Sequence, residues 1–368
     1  MKQKALFVAA GTGGHLYPAL ATAKTLVAAG NWDVTFAVRR KDMGKTLLER
    51  EGFSVIELSG QGMPRSFTWK WLTFPFKVLW GFWRAYFELK RLNPVVVVGW
   101  GGYLSFSVLL IAKVQRRRAM IHEQNVLPGL TNKFLSRWVD RCALSFSESL
   151  PYFKNCPAAV SGLPVRSDVG VISKSDASSH FSLDPNKITF LFFGGSLGAT
   201  RLNHAVVEAW PRLSDLWGQF QVIHVTGKKD FALIEKAYKP YTFKALLMEY
   251  CHDMAQAIAA ADFIVCRAGA STIAELCVAQ KPALLIPYPY ASENHQLFNA
   301  EVLVKRAAAE VLFDQDVSAE SVAMRLRKIL KNPERVAQMK KQFPDELKIL
   351  HSHASRALSD TISNLSRS

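Results

Sequence analysis

The 368-residue chain predicts an α/β protein built from two doubly wound, parallel-sheet domains. Three observations carry this. A short apolar run ending in a glycine turn and a helix start opens the chain. The same arrangement recurs about half the chain later. Apolar runs alternate with helical patterns through both halves.

The first strand is predicted over 4–9, the first helix from Pro18, and between them stand Gly11, Thr12, Gly13, Gly14 and His15. Unpaired N–H groups at a helix start carry the positive end of its dipole, so this turn suits a phosphate or pyrophosphate. It does not complete the dinucleotide fingerprint, because Leu16 stands where G-x-G-x-x-G needs its third glycine. The next strand, over 34–38, also ends in Arg39 and Arg40 instead of a ribose-binding acid. No Walker-type loop occurs. His15, beside the turn, is a candidate general base; its bland alternative is a histidine bonded to a nearby carbonyl.

Further strands are expected over 95–98 and 120–121. The first runs into Gly99-Trp100-Gly101-Gly102, and the second into His122-Glu123-Gln124-Asn125. Four polar residues at a strand exit are unusual for packing alone; Asn125 is the candidate ligand contact, while His122 and Glu123 could pair or cap 129–131. The stretch 160–166, with Gly162 and Pro164, reads as a linker. Beyond it, a strand over 187–193 meets Gly194-Gly195-Ser196-Leu197-Gly198, and further strands are predicted over 221–225, 263–266 and 283–286.

The densest stretch follows the strand at 263–266. Gly269 frees the turn, Ala270, Ser271 and Thr272 open a helix, and Ile273 and Ala274 lead to Glu275 one turn on. Such a carboxylate can accept two ribose hydroxyls; the alternative is a capping box from Thr272 to Glu275. Gln296 enters the next helix as a candidate for sugar hydroxyls. Asp314-Gln315-Asp316 spells a D-x-D, a pattern that can hold Mn²⁺ in sugar-nucleotide enzymes, but it sits between a strand-like run and Ser318 and is expected to be a turn and helix start.

Composition bounds the function. The net charge of +16 is uneven: residues 1–160 hold 22 Lys and Arg against 9 Asp and Glu, whereas residues 161–368 hold 24 against 21. The basic first half implies an anionic partner. Five cysteines without CxxC spacing argue against a disulfide framework and fit a reducing cytoplasm. No secretory leader or membrane-spanning run is expected. Ten aromatics fall between Phe67 and Phe87, with Lys77, Arg84 and Arg91 repeating every seven residues as a narrow basic stripe. A helix apolar nearly all round must cover itself with something besides water. Lys77, Trp80, Trp83, Arg84 and Phe87 are expected to contact an anionic membrane surface, with Arg116, Arg117 and Arg118 as a second basic contributor.

In order and spacing, GTGGHLYPAL, GWGGYLS, HEQN, GLPVR, GGSLGA, CHDM, the run 267–275 and HQLFNA resemble the MurG family, the bacterial N-acetylglucosaminyltransferases of peptidoglycan synthesis. The resemblance implies a GT-B fold, two Rossmann-like domains facing a cleft. The first, 1–160, would take the lipid-linked acceptor. The second, 161–344, would take UDP-GlcNAc, and a C-terminal helix over about 345–368 would be placed to pack back on the first. It implies an inverting, metal-independent transfer of GlcNAc to the C4 hydroxyl of the MurNAc of lipid I, forming lipid II. No cofactor is implied. The protein would lie peripherally on the cytoplasmic face of the cell membrane, alongside other cell-wall synthesis proteins, with no nucleic-acid partner.

By the same resemblance Thr12, Gly13 and Gly14 form the phosphate-side loop and Asn125 meets the donor sugar. Arg166 and Ser196 would contact the nucleotide diphosphate, the main chain at Cys251 the uracil, Ala270, Ser271 and Thr272 the diphosphate, Glu275 the ribose and Gln296 the GlcNAc. His15 becomes the base or the acceptor-orienting group. Two departures stand out: Cys251 where the family often has a branched aliphatic residue, and Leu197 where glutamine is common. The competing expectations are a UDP-GlcNAc 2-epimerase of the same architecture and, from another class, a nucleic-acid-binding protein using the basic half and its aromatics.

Overall fold

The structure, a computed structural model, describes residues 2–9, 13–40, 42, 44–58, 70–195, 198–290 and 294–367, with the side chains of Gly13 and 70–75 left aside. It divides into two compact units, Met1–Val165 with Leu350–Ser368, and Arg166–Ile349.

In the first unit, strands β1 (Gln3–Val8), β2 (Trp32–Arg39), β3 (Ser54–Leu58), β4 (Val96–Gly99), β5 (Arg118–Glu123), β6 (Arg141–Leu144) and β7 (Ala158–Val160) form one sheet. Its order is β3-β2-β1-β4-β5-β6-β7, and every pairing is parallel. Helices α1 (Gly13–Ala28), α2 (Gly44–Arg50), α3 (Lys70–Leu92), α4 (Gly102–Val114) and α5 (Leu130–Leu135) carry the crossovers. Strands such as Val96-Val97-Val98 are apolar throughout because both faces of the sheet are covered.

In the second unit, β8 (Ile188–Phe193), β9 (Phe220–Val225), β10 (Ala245–Met248), β11 (Phe263–Cys266), β12 (Ala283–Leu285) and β13 (Ala309–Val311) make a second parallel sheet. Its order is β10-β9-β8-β11-β12-β13. Helices α6 (Lys174–His180), α7 (Thr200–Ala209), α8 (Phe231–Tyr238), α9 (Met254–Ala260), α10 (Ala270–Ala279), α11 (His295–Val304), α12 (Ala319–Lys331) and α13 (Pro333–Lys341) surround it. One face is sealed by an aromatic cluster in which Trp210 stacks on Phe220 at 5.5 Å and meets Phe243 at 5.1 Å.

Helix α14 (Asp345–Ser352) then brings the chain back to the first unit, where α15 (Ala354–Arg367) ends it. Leu358, Ile362 and Leu365 recur at helical spacing and bury against Leu16, Ala19, Ala23 and Leu26 of α1, so the chain end completes the first core. Where the chain leaves that unit, the Leu163 amide donates to Nδ1 of buried His351 at 2.9 Å. A side chain at Gly162 would stand 2.5 Å from the Leu350 carbonyl, and Gly162 itself has φ +77°. Outgoing and returning strands of chain therefore meet backbone to backbone here.

One expectation is corrected. Cys142 and Cys156 are joined as a disulfide. Pairing of β6 with β7 and the bond from the Cys142 amide to the Pro157 carbonyl bring the two together. Sequence spacing carries no sign of a contact made by sheet register. Cys251, Cys266 and Cys277 are free and buried.

Gly162→Ala combines a left-handed backbone with a backbone clash and is expected to cost about 2–4 kcal/mol. Urea unfolding checks this: an unchanged midpoint would contradict the close approach.

Candidate active site

Strand order reverses at β1/β4 in the first sheet and at β8/β11 in the second, and ligands of such sheets bind beyond the carboxyl ends of strands at those points. Among the described residues, Gly13 and Gly14 after β1, Gly99 to Gly102 at the end of β4, Gly194 and Gly195 after β8 and Gly269 after β11 lie there.

In the first unit, Gly13 and Gly14 open α1 directly after the β1 exit, and His15 sits in its first turn. Thr12 lies outside the described residues. A Cβ at Gly101, which has φ +93°, would lie 3.5 Å from His15 Nε2 and 3.7 Å from Gln124 Oε1. The Gly101 turn after β4 thus lies against both the His15 ring of α1 and the Gln124 side chain that follows β5. Gln124 is fixed from behind, since its Nε2 donates to the Trp100 carbonyl at 3.1 Å and approaches His122 Nδ1 at 3.2 Å. His122 is fully buried against Trp100, with Nε2 at 3.2 Å from the Gly162 carbonyl. A carbonyl only accepts, so Nε2 carries the proton and Nδ1 accepts from Gln124. Burial pushes the His122 imidazolium down to about 4, so the ring stays neutral at pH 7.

Glu123 is also buried. Its Oε1 accepts from the Asn125 amide at 2.9 Å and from Asn125 Nδ2 at 3.3 Å. Its Oε2 accepts from Asn132 Nδ2 at 2.8 Å and from the amide of Gly129, the N-cap of α5, at 3.2 Å. The helix cap considered for the polar tetrad therefore belongs to Glu123, which at the same time fixes Asn125. Burial pushes its carboxyl up, and these donors offset that rise only in part.

In the second unit, α10 begins at Ala270 behind the extended N-cap Gly269, which has no side-chain hydroxyl to cap the helix. Thr272 lies inside the helix, so the Thr272–Glu275 capping box does not form. Ser271 Oγ is buried with no hydrogen-bond partner, an orphan that costs about 1–3 kcal/mol unless something fills it. Glu275, one turn along and 8% exposed, accepts from Arg166 Nη2 at 2.6 Å. Burial raises its carboxyl and Arg166 opposes that shift. Arg166, expected at the diphosphate, thus stands on Glu275. Ile273 and Ala274 are core residues of the same helix. Cys251 is buried, its thiol pushed up to about 11 by desolvation, and Arg166 lies within electrostatic reach of it. Ser196 and Leu197 lie outside the described residues.

Gln296 Oε1 accepts from the Tyr288 amide at 2.9 Å, so the loop after β12 holds this side chain from the first turn of α11. Beside it opens a cavity of about 330 Å³ lined in part by Tyr288, Tyr290, Asn294, Phe313 and Gln315. Asp314, Gln315 and Asp316 form a single 3-10 turn ahead of the Ser318 cap of α12, and Asp314 pairs with Arg267 at 2.6 Å.

A network with no sequence forecast stands behind the second glycine loop. Asn203 Nδ2 donates to Asp230 at 2.8 Å, its Oδ1 meets His224 Nε2 at 3.1 Å, and Thr200 donates to Asp230 at 3.1 Å. The available signal was a histidine inside the wholly buried strand FQVIHV.

On α3, Gly81, Ala85 and Leu89 face inward at helical spacing, while Lys77, Trp80, Trp83 and Phe87 are exposed. Trp80 stacks on Trp83 at 4.9 Å and Trp83 meets Phe87 at 4.7 Å, a continuous aromatic face in water. Arg84 and Arg91 flank Glu88 at 3.9 and 2.7 Å. Phe67 and Trp69 lie outside the described residues. Arg117 is held by Asn93 and the Pro94 carbonyl, and Arg118 lies 3.7 Å from Asp140. Among the described residues no helix is long and apolar enough to cross a membrane.

A model of the glycosyltransferase family 28 N-terminal domain matches residues 5–144, and one of the family 28 C-terminal domain matches residues 189–357. Two similar proteins are each named UDP-N-acetylglucosamine–N-acetylmuramyl-(pentapeptide) pyrophosphoryl-undecaprenol N-acetylglucosamine transferase. The one from Thermodesulfovibrio yellowstonii is 35% identical, over 91% of this chain and 92% of its own. The one from Desulfitobacterium hafniense is 38% identical, over 89% and 91%. The crystal structure of Acinetobacter baumannii MurG superposes with a TM-score of 0.79 at 27% identity, covering 99% of this chain and 100% of that one.

Glu123→Ala strands the donors of Asn125, Gly129 and Asn132 and is expected to cost about 3 kcal/mol of stability, with kcat/KM falling as Asn125 loosens. Glu123→Gln, which keeps an acceptor at one end only, should fall between. Wild-type stability in both variants would contradict the cap.

Proposed function

The chain belongs to the MurG family of family 28 glycosyltransferases, and from that membership we propose how its residues divide the work of the transfer. It is an N-acetylglucosaminyltransferase that moves GlcNAc from UDP-GlcNAc to the MurNAc of lipid I, forming lipid II for peptidoglycan. Its fold is GT-B, two Rossmann-like units.

The observation that carries the residue assignment is the start of α10. Free N–H groups, an orphaned Ser271 hydroxyl and a buried carboxylate at Glu275 lie within one turn of helix. Diphosphate suits the first two and a ribose diol the third. The second unit therefore holds the donor, with the main chain at Cys251 on the uracil, Ala270, Ser271 and Thr272 on the diphosphate, together with Ser196, and Gln296 on the sugar. The helix-start amides gain most as charge develops on the departing UDP, which is where transition-state stabilisation is wanted.

The first unit presents the acceptor side. The C4 hydroxyl attacks the anomeric carbon from the face opposite UDP, its C–O bond forming as the bond to the diphosphate oxygen breaks, so configuration inverts. His15 takes the hydroxyl proton. Thr12, Gly13 and Gly14 serve as the phosphate-side loop, and Asn125 contacts the transferred sugar. No step needs a metal. The carboxylate of Asp314 in the D-x-D is already committed to Arg267.

Membrane contact is supported by α3. Its exposed Trp80–Trp83–Phe87 face suits the headgroup level of a bilayer, and Lys77 and Arg84 suit anionic lipid. A peripheral site on the cytoplasmic face would put the enzyme beside an acceptor anchored by its polyprenyl chain, among other cell-wall enzymes. An epimerase would have no use for this face, and a nucleic-acid-binding protein would leave the α10 start without a ligand.

With UDP-GlcNAc and a lipid I analogue, turnover should survive chelator, His15→Ala should lower kcat about 100-fold or more, and Asn125→Ala should lower kcat/KM. Loss of activity in chelator, or full kcat without His15, would overturn these roles. Binding to anionic vesicles should weaken with salt and fall on Lys77→Glu with Arg84→Glu; unchanged binding would remove α3 from the contact.

A further inference from the structure

Helices α9 and α10 start beyond the carboxyl ends of β10 and β11 and run back to the amino edge of the second sheet, where one side chain joins them. That side chain is Lys281. Its Nζ donates to the Ala259 carbonyl at 2.8 Å and to the Ala261 carbonyl at 2.6 Å, acceptors that the end of α9 leaves open. Its own amide donates to the Leu276 carbonyl at 3.2 Å, behind Gln280, whose left-handed conformation ends α10. One residue therefore closes both helices, its backbone on α10 and its side chain on α9.

A cation suits a helix C-terminus, but here it comes from a neighbouring helix and stands in a part-buried place. Burial pushes the Lys281 ammonium down to about 8; Asp262 draws it up, and Lys340 of α13 and Lys174 of α6 press it down. The charged form prevails at pH 7. Asp262 is itself fixed, since it accepts from Lys174 Nζ at 2.8 Å and from the Thr189 amide of β8 at 2.8 Å.

The starts of the same two helices are where the donor reading places the nucleotide. The main chain at Cys251 leads through Asp253 into α9, and Ser271 and Glu275 lie in the first two turns of α10. With seven residues in α9 and ten in α10, the join stands about 10–15 Å behind these groups. Over so few turns a helix moves as a rod, so a shift at the joined ends reappears at the starts.

We propose that Lys281 is a positioning residue for the donor site: by fastening α9 to α10 at their far ends, it sets the separation of the uracil-reading main chain at Cys251 from the ribose and diphosphate groups of α10. This rests on the donor reading of the second unit. Lys281 itself touches no part of the nucleotide. Its effect is confined to ligands that span both segments, because a ligand held by α10 alone is indifferent to where α9 stands. UDP and uridine span both; inorganic pyrophosphate occupies the α10 start alone.

Calorimetric titration of the full chain with UDP, uridine and inorganic pyrophosphate tests this in wild type, in Lys281→Met, which keeps a long stem without donors, and in Lys281→Arg, which keeps a cation with several. Thermal unfolding sets a working temperature at which each variant is folded. Lys281→Met should weaken UDP and uridine by the same factor, about tenfold, and leave pyrophosphate unchanged. Lys281→Arg should recover most of that loss. In turnover, KM for UDP-GlcNAc should rise in Lys281→Met while kcat and KM for a lipid I analogue hold. Weaker UDP and pyrophosphate with unchanged uridine would overturn the proposal and make Lys281 a remote charge acting on the phosphates. Unchanged UDP affinity in a Lys281→Met variant of lowered unfolding temperature would overturn it as well, leaving a helix cap of structural value only. Wild-type protein that binds no UDP would overturn the donor reading, and the proposal with it.

Discussion

A parallel sheet has to return its chain through a crossover, and where the direction of winding reverses, the two loops on either side part at the carboxyl ends of the strands. Both sheets reverse once, between β1 and β4 and between β8 and β11. What lies in those gaps decides what each unit can do: an imidazole among glycines in one, an uncapped helix start with a buried carboxylate in the other. The rest of each unit is scaffolding for these loops. Apolar strands and covering helices fix the strand ends in place, and the aromatic seal around Trp210 and the packing of α15 on α1 give each core its rigidity.

Buried polar groups do the finer positioning. Glu123 holds Asn125 and starts α5, neutral His122 holds Gln124 beside His15, and Asn203 with His224 and Asp230 braces the α7 start. Each such group has traded water for fixed partners, and that trade is worthwhile only where geometry must be exact to a few tenths of an ångström. Their concentration at the strand exits, away from the outer faces of the sheets, agrees with the placement of the chemistry there.

The strand exits were legible because a parallel strand buried on both faces must be an apolar run, and a loop that meets an anion needs glycine next to a helix start. Strand β11 was bounded from sequence alone, and the loops at 99–102 and 269–272 followed. Short strands such as β6 and β7 were not legible, since three or four residues carry no periodicity. Long-range partners were hidden for another reason. Glu275 reads locally as a ribose-binding carboxylate or, as the alternative, a cap for its own helix, and only the fold supplies Arg166. Gln296 reads as a free amide, and only the loop shows that Tyr288 occupies it. The disulfide of Cys142 with Cys156 depends on register between neighbouring strands, which no spacing rule encodes.

The placement of the nucleotide on the α10 start is the claim on which the division of labour stands. A crystal structure of the protein with UDP tests it most directly. The account predicts diphosphate oxygens within hydrogen-bond reach of the Ser271 and Thr272 amides and the Ser271 hydroxyl, with the ribose against Glu275. UDP seated instead on the loop after β1, with Ser271 still unpartnered, would contradict it.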